Sequence, residues 1–410
     1  MEIQNYNDFM HEFIKKICDE IGPRASASEN EKKAGDKIEE NLKKYCDDTH
    51  QEEFKLAPKA VVGNVRWAAL LIIISGVLYE WVLFNESFAN QLNPTMKLII
   101  FIISPVLITI SLSFLILEVM LLREFIDFIF PKKKAYNIIG TIKPKNEIKN
   151  NLIFAAHHDS AYEYKLFYYL KTFGAVIIFL GFIGAILTFI YVWLRFLFNY
   201  SPIYFRYFLI FFVPIGLAFF FFVGKNATLG AYDNLSGVAI LIAIAKYISE
   251  NRNNPEIFPN NAQIQFISFA CEEAGLRGSR RYVKAHEKEL KSMNTKVINI
   301  DSISMKDNIV IVKREIFTGV KHNEELSEEL FEIGKKLGIG IKFGSLPFGG
   351  SDAVPFTWKK IPVTSFMTFE MPKLPPYYHT RMDNPDVVDK EALGQVFRIC
   401  IEYLKKINKS

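Results

Sequence analysis

His157 and Asp159 stand two residues apart after the apolar run Leu152–Ala156, in the order His157-His158-Asp159-Ser160. Asp233 lies within Gly230-Ala-Tyr-Asp-Asn-Leu-Ser-Gly237, Glu272 and Glu273 follow the apolar run Ile264–Ala270, Asp301 follows Val297–Ile300, and His379 sits in Pro376-Tyr-Tyr-His-Thr380. Singly, each has an ordinary structural reading. A histidine after a strand is more often structural than a ligand, a carboxylate before a helix is usually an N-cap, and paired glutamates in a turn are usually solvated. Their joint placement points to chemistry, because imidazoles and carboxylates gather at strand ends, where open α/β sheets build their sites. Nitrogen and oxygen donors with no thiolate suit zinc, with manganese or cobalt as substitutes.

The elements that must position these residues are legible around them. Phe9, Phe13, Ile17 and Ile21 recur at helical spacing, and Gly22-Pro23 ends that helix. Ser28 followed by Glu31 has the form of a capping box that opens a second helix through Ile38 and Leu42. Strands are predicted at Tyr136–Ile142, Leu152–Ala156, Ile264–Ala270, Val297–Ile300, Ile309–Val312 and Ile361–Phe366, and helices at Leu235–Ser249, Glu324–Leu337 and Lys390–Ile407. This alternation implies an α/β fold, a mixed and mostly parallel sheet with helices on both faces.

Four segments lie outside that pattern. Trp67–Phe84 and Leu98–Leu122 are apolar except for Glu80 and Glu118; Thr172–Leu194 carries no charge at all; Tyr207–Val223 is broken only by Pro214 and Gly216. Each is about as long as a bilayer core needs, roughly 17 to 25 residues, so the expectation is four transmembrane helices in two hairpins. Gly174, Gly181, Gly184 and Ala185 would let a neighbouring helix approach, Pro105 and Pro214 fit kinked spans, and Glu80 and Glu118 are expected to reach the headgroups. Asp159 precedes the third span by about 13 residues and Asp233 follows the fourth by about 10, so at no more than about 3.6 Å per residue the site should lie within about 35 Å of the bilayer surface.

Half of the residues are hydrophobic and mean hydropathy is +0.13, which argues against a purely soluble or disordered chain, while 23% charged residues argue against one wholly in the membrane. The net charge of +5 is too weak and scattered for a nucleic-acid partner. Lys55, Lys59, Arg66, Arg123, Lys132, Lys133, Lys134, Lys165, Lys171 and Lys225 flank the spans on one side, against Lys97, Arg195 and Arg206 on the other. The positive-inside rule therefore places the large domain in the cytoplasm. The acidic, amphipathic Met1–Glu20 is not a secretory signal, and Cys18, Cys46, Cys271 and Cys400 show neither disulfide nor metal spacing.

The boxes resemble the co-catalytic di-zinc aminopeptidases of the leucyl aminopeptidase and carboxypeptidase Q type, zinc exopeptidases of clan MH, a group that also contains glutaminyl cyclases and inactive membrane relatives. The resemblance rests on His157-x-Asp159, Asp233-Asn-x-Ser-Gly237, Glu272-Glu-x-Gly-Leu-x-Gly-Ser279, Asp301, Ser351-Asp352, His379 with Asp383, and Ile21-Gly-Pro-Arg24. It implies a membrane-embedded member whose domain comprises residues 1–66, 123–171 and 224–410, interrupted by hairpins at 67–122 and 172–223. By the same resemblance Asp233 bridges two Zn2+ ions, one completed by His157 and Asp301 and the other by Glu273 and His379. Asp159 then orients His157, and Glu272 is the general acid and base, free of the metals.

Two departures concern substrate preference. Many soluble relatives have a tyrosine where Pro347-Phe-Gly-Gly-Ser351 places Phe348, which cannot donate a hydrogen bond, so help to an oxyanion would come from metal, backbone, Tyr377 or Tyr378. Ala353 stands where many relatives have histidine. The function implied is a multi-pass membrane aminopeptidase acting on peptides. The rivals are a carboxypeptidase, an amide deacylase or a glutaminyl cyclase on the same site, and a non-catalytic membrane scaffold.

Overall fold

The computed structural model describes residues 2–61, 65–83, 87, 90–198, 200, 204–369 and 375–409. The chain divides into two compact units. The first joins Met1–Pro58, Pro131–Glu163 and Lys225–Ser410, and the second joins Lys59–Phe130 and Tyr164–Gly224.

The first unit is built on one sheet. Its strands are β1 (Asp48–Leu56), β2 (Lys133–Ile142), β3 (Asn150–His157), β4 (Ala262–Phe269), β5 (Thr295–Ile300), β6 (Ile309–Glu315), β7 (Val320–Lys321), β8 (Ile341–Leu346) and β9 (Val363–Thr368). They lie in the order β1-β2-β4-β3-β5-β9-β6-β8, with β7 paired to β6. The central strands β4, β3, β5 and β9 run parallel, so their carboxyl ends share one edge. Antiparallel strands flank this centre, as expected of a mixed sheet.

Side-chain alternation divides the core. Leu152, Phe154 and Ala156 of β3 pack with residues of α1 (Glu2–Glu20), α3 (Ser236–Glu250) and α7 (Lys390–Lys409), whereas Ile153 and Ala155 join Tyr282 and Leu290 of α4 (Arg277–Ser292). Helices on both faces follow from that two-residue period. α2 (Glu29–Leu42) begins where the capping pattern predicts, with Ser28 Oγ accepting Glu31 N–H at 3.1 Å. The Glu31 carboxylate instead accepts N–H groups of Ala27 and Cys271, at 2.8 and 2.9 Å, and so joins the helix to the end of β4. β1 was not predicted, because the polar run Asp48–Leu56 belongs to an exposed sheet edge with only Phe54 and Leu56 buried.

Two of the four expected spans coincide with helices long and apolar enough to cross a membrane. Three helices of the described chain are long and apolar enough to cross a membrane: Pro94–Met120, Thr172–Phe198 and Ala231–Glu250. The first two match predicted spans. The third includes α3, whose apolar window is 89% buried in the first unit, so its hydropathy reflects packing on all sides. Of the other predicted spans, Tyr207–Phe221 is a shorter apolar helix. Trp67–Phe84 is an α-helix only over Val65–Val77, followed by a π-helical turn at Leu78–Leu83; Phe84 lies outside the described residues.

Close packing at small residues holds as predicted. A Cβ on Gly184 would stand 1.6 Å from the Phe212 ring, and one on Gly181 2.2 Å from Phe219. Gly174 instead faces Leu166 of its own segment. Glu80 and Glu118 do not reach outward. Glu80 is buried and accepts the Tyr191 hydroxyl, and buried Glu118 accepts Phe125 and Ile126 N–H at 2.6 and 3.2 Å. A carboxylate inside an apolar bundle is stable only with such partners.

Candidate metal centre

Strand ends and helix starts assemble the predicted site. His157 closes β3, Asp301 follows β5, Glu272 and Glu273 lie between β4 and α4, and Asp233 lies just before α3. His379 comes from a loop and has a positive φ of 50°. Nε2 of His157 lies 3.2 Å from Asp233 Oδ1 and 3.8 Å from Asp301 Oδ1. Nε2 of His379 lies 3.0 Å from Asp233 Oδ2 and 3.4 Å from Glu273 Oε1. Each oxygen of Asp233 thus faces a different imidazole. Potential ligand atoms fall into two groups, His157, Glu272 and Asp301 in one and Asp233, Glu273 and His379 in the other, each within 4.8 Å. Proximity alone therefore gathers Glu272 with one group.

The boxes around these residues have local physical reasons. Asn234 donates to Ile300 O at 2.9 Å, and its Oδ1 accepts Gly237 N–H at 3.0 Å and Ser302 N–H at 3.2 Å. It ties the start of α3 to the residues flanking Asp301. A Cβ on Gly237 would meet Ile300 O at 2.3 Å, and one on Gly278 would meet Ala270 O at 2.1 Å, so both glycines permit close backbone approach.

Asp159 does more than the sequence suggests. Its Oδ1 lies 3.3 Å from His157 Nδ1, and its carboxylate accepts Glu272 N–H at 3.0 Å, Glu273 N–H at 3.1 Å and the Ser26 hydroxyl at 2.6 Å. One carboxylate therefore sets the aim of an imidazole and of two glutamates. Asp383 plays a parallel part for Asp233, accepting Tyr232 N–H at 2.6 Å and Asp233 N–H at 3.2 Å. His158, beside the site in sequence, points away, with Nδ1 2.9 Å from Ser268 Oγ. The Tyr377 hydroxyl lies 2.8 Å from Ser304 Oγ, and the Tyr378 ring stacks on His379 at 4.0 Å. Phe348 is partly exposed and packs edge-on against Phe317.

Arg24 had no role beyond its sequence box. It is wholly buried, donating to the carbonyls of His158 at 2.8 Å, Leu229 at 2.7 Å and Gly230 at 3.0 Å. Glu315 is a second omission. It accepts Ser351 N–H at 3.0 Å and the Ser351 hydroxyl at 2.6 Å and lies 3.0 Å from His322 Nε2, anchoring the Ser351-Asp352 loop. The carbonyls that Arg24 meets lie 134 or more residues along the chain and Ser351 lies 36 from Glu315, so neither had a local signal.

The electrostatics fit cations. Burial, with the carboxylates of Glu273, Asp352 and Asp301, pushes Glu272 well above the usual carboxylate range despite His157. Burial likewise raises Glu273 to about 8 and Asp352 to about 7. Asp233, which burial alone would raise, is held low by hydrogen bonding to His157 and His379. The oxygens of Asp352, and Oε1 of Glu273, are buried and accept no hydrogen bond. Such crowding of acids is costly without positive charge, and imidazole with carboxylate donors suits zinc.

Known proteins resemble this chain in sequence and in fold. Residues 213–404, which include Asp233, Glu272, Glu273, Asp301 and His379, match the model of peptidase family M28. This stretch, just under half of the chain, is similar to family M28 peptidases. Over 172 residues it is 30% identical to Aminopeptidase YwaD of Bacillus subtilis, a match covering 40% of this chain and about a third of that relative (35%). Its fold is similar to that of a leucine aminopeptidase precursor from Bacteroides thetaiotaomicron, with TM-score 0.55 and 16% identity over 97% of this chain and 96% of the other. It is equally similar to Porphyromonas gingivalis glutaminyl cyclase, with TM-score 0.56 and 13% identity over 98% of each chain. At these identities the two structures establish the fold alone, a mixed and mostly parallel sheet with helices on both faces, similar to that of zinc exopeptidases.

Proposed function

We propose that this chain is a membrane-bound zinc aminopeptidase that removes amino-terminal residues from peptides. The observation that carries the reading is Asp233, whose two carboxylate oxygens face His157 and His379 separately. His157, Asp301 and Asp233 would hold one Zn2+, and Asp233, Glu273 and His379 a second. Bound there, the ions would supply Lewis acidity toward the scissile carbonyl and a nucleophilic water at neutral pH.

The chain's own residues do the rest. Asp159 keeps His157 Nδ1 engaged so that Nε2 faces the centre, and Asp383 holds the backbone of Asp233. Glu272, buried beside the site, takes the proton from the attacking water as its carboxylate and, once protonated, passes it to the leaving amine. The apolar helices Pro94–Met120 and Thr172–Phe198 support insertion in a bilayer, and the cytoplasmic side is favoured by the lysines and arginines that flank the hairpins.

The test is metal analysis of purified full-length protein, together with turnover of free and amino-blocked peptides by wild type and Glu272→Gln. Two zinc ions per chain, dependence on a free amine, and loss of turnover in the variant with its metals retained are expected. Rapid cleavage of blocked peptides would favour a deacylase or endopeptidase. Cyclisation of amino-terminal glutamine without hydrolysis would favour a cyclase, and no turnover by a fully metallated protein would favour a scaffold.

A further inference from the structure

His379 is the one predicted ligand held by a loop that neither ends a strand nor opens a helix, so its position depends on anchors elsewhere. One anchor is Asp383, bound to the backbone of Tyr232 and Asp233. A second, in addition to the Tyr377–Ser304 contact, is Arg381, two residues from the histidine, whose Nε and Nη2 donate to the two oxygens of Glu163 at 2.5 and 2.9 Å. Glu163 is buried at 6% exposure, whereas the Arg381 side chain is 53% exposed, so a planar two-point contact fixes the loop onto an otherwise buried carboxylate.

Glu163 is itself fastened. Ser160 N–H donates to Arg24 O and Ser160 Oγ donates to Thr228 O, each at 2.9 Å, while Thr228 N–H donates to Ala161 O at 2.8 Å. The Arg24 guanidinium spans the carbonyls of His158, Leu229 and Gly230. Glu163 is also the last residue of the first unit before the chain runs into helix Thr172–Phe198. We propose that Glu163 and Arg381 are a positioning pair for metal binding by His379. They hold the ligand loop to the segment that follows β3, so that the metal ion on Glu273 and His379 depends on this pair and the ion on His157 and Asp301 does not.

The inference rests on the two-zinc reading above. It is tested by equilibrating full-length protein in detergent with chelator-buffered zinc and measuring bound ions per chain, for wild type, Glu163→Gln, Arg381→Gln and the double variant. Each single change should weaken one of the two ions by about 10- to 100-fold, leave the other unchanged, and cost no more when combined. Turnover should recover in excess zinc with KM unaltered. Wild-type affinity for both ions in the two single variants overturns the pairing while leaving the two-zinc reading intact. Equal weakening of both ions with a lowered melting temperature also overturns it, because that marks a structural role alone. A wild type that never binds a second ion overturns both proposals.

Discussion

Asp159 Oδ1 lies 3.3 Å from Nδ1 of His157, on the side of the ring opposite the Nε2 that faces Asp233 and Asp301. The same carboxylate receives the amides of Glu272 and Glu273, so one side chain couples the aim of a proposed ligand to the placement of the proposed proton carrier.

Asp159→Asn should therefore weaken zinc binding by about 10- to 100-fold and lower kcat. An amide presents one oxygen where the carboxylate presents two, and its NH2 group would face a backbone N–H. Competition against a chromophoric chelator measures the first effect. Unchanged zinc affinity would show that His157 needs no such partner.

Gly237→Ala should destabilise the peptidase domain by about 1–3 kcal/mol or more, since the added methyl would lie 2.3 Å from Ile300 O and 2.7 Å from Asn234 Oδ1. A thermal melt of the metal-free protein reads the cost directly. A wild-type melting temperature would remove the close-approach explanation for this glycine.

His158 yields a pH prediction with a definite sign. Burial pushes its imidazole down from 6.5 to about 4. Between those values the unfolded chain carries a proton that the folded one lacks, so this group's stability contribution is complete above pH 6.5 and is lost as pH falls toward 4. The loss is at most about 3 kcal/mol. Denaturant unfolding of chelated wild type and His158→Gln across that window should give a steeper decline for the wild type; parallel curves would contradict it.

The native thiols should be nearly inert. Burial raises Cys18 to about 11 and Cys46 to about 12, and Cys271 and Cys400 are wholly buried and also raised. At pH 8 a thiol reagent should modify less than one cysteine per chain within minutes and all four only after denaturation. Topology is then readable from Lys406→Cys on the exposed face of α7, whose lysine is 51% exposed. An impermeant maleimide should reach it after cell lysis and not in intact cells; labelling of intact cells would overturn the cytoplasmic placement.

The sequence alone determined what is local or periodic. Parallel strands leave the residues that follow them at one sheet edge, so the candidate ligands His157, Glu273 and Asp301 could be brought to that edge from the apolar runs before them, and α1, α2, α5 (Glu324–Lys336) and α7 followed from spacing and caps. Tertiary structure decided the matters that depend on partners far along the chain. The apolar run of α3 became core because sheet and helices surround it, and Glu80 was drawn inward by Tyr191. Glu31 reached from its own helix start to Cys271, Arg24 found carbonyls 134 and 205 residues away, and Glu163 paired with Arg381 across 218. Periodicity reports which face a residue presents to a core. A buried charge takes whichever distant group the folded chain brings within hydrogen-bonding reach, and only the assembled fold specifies that group.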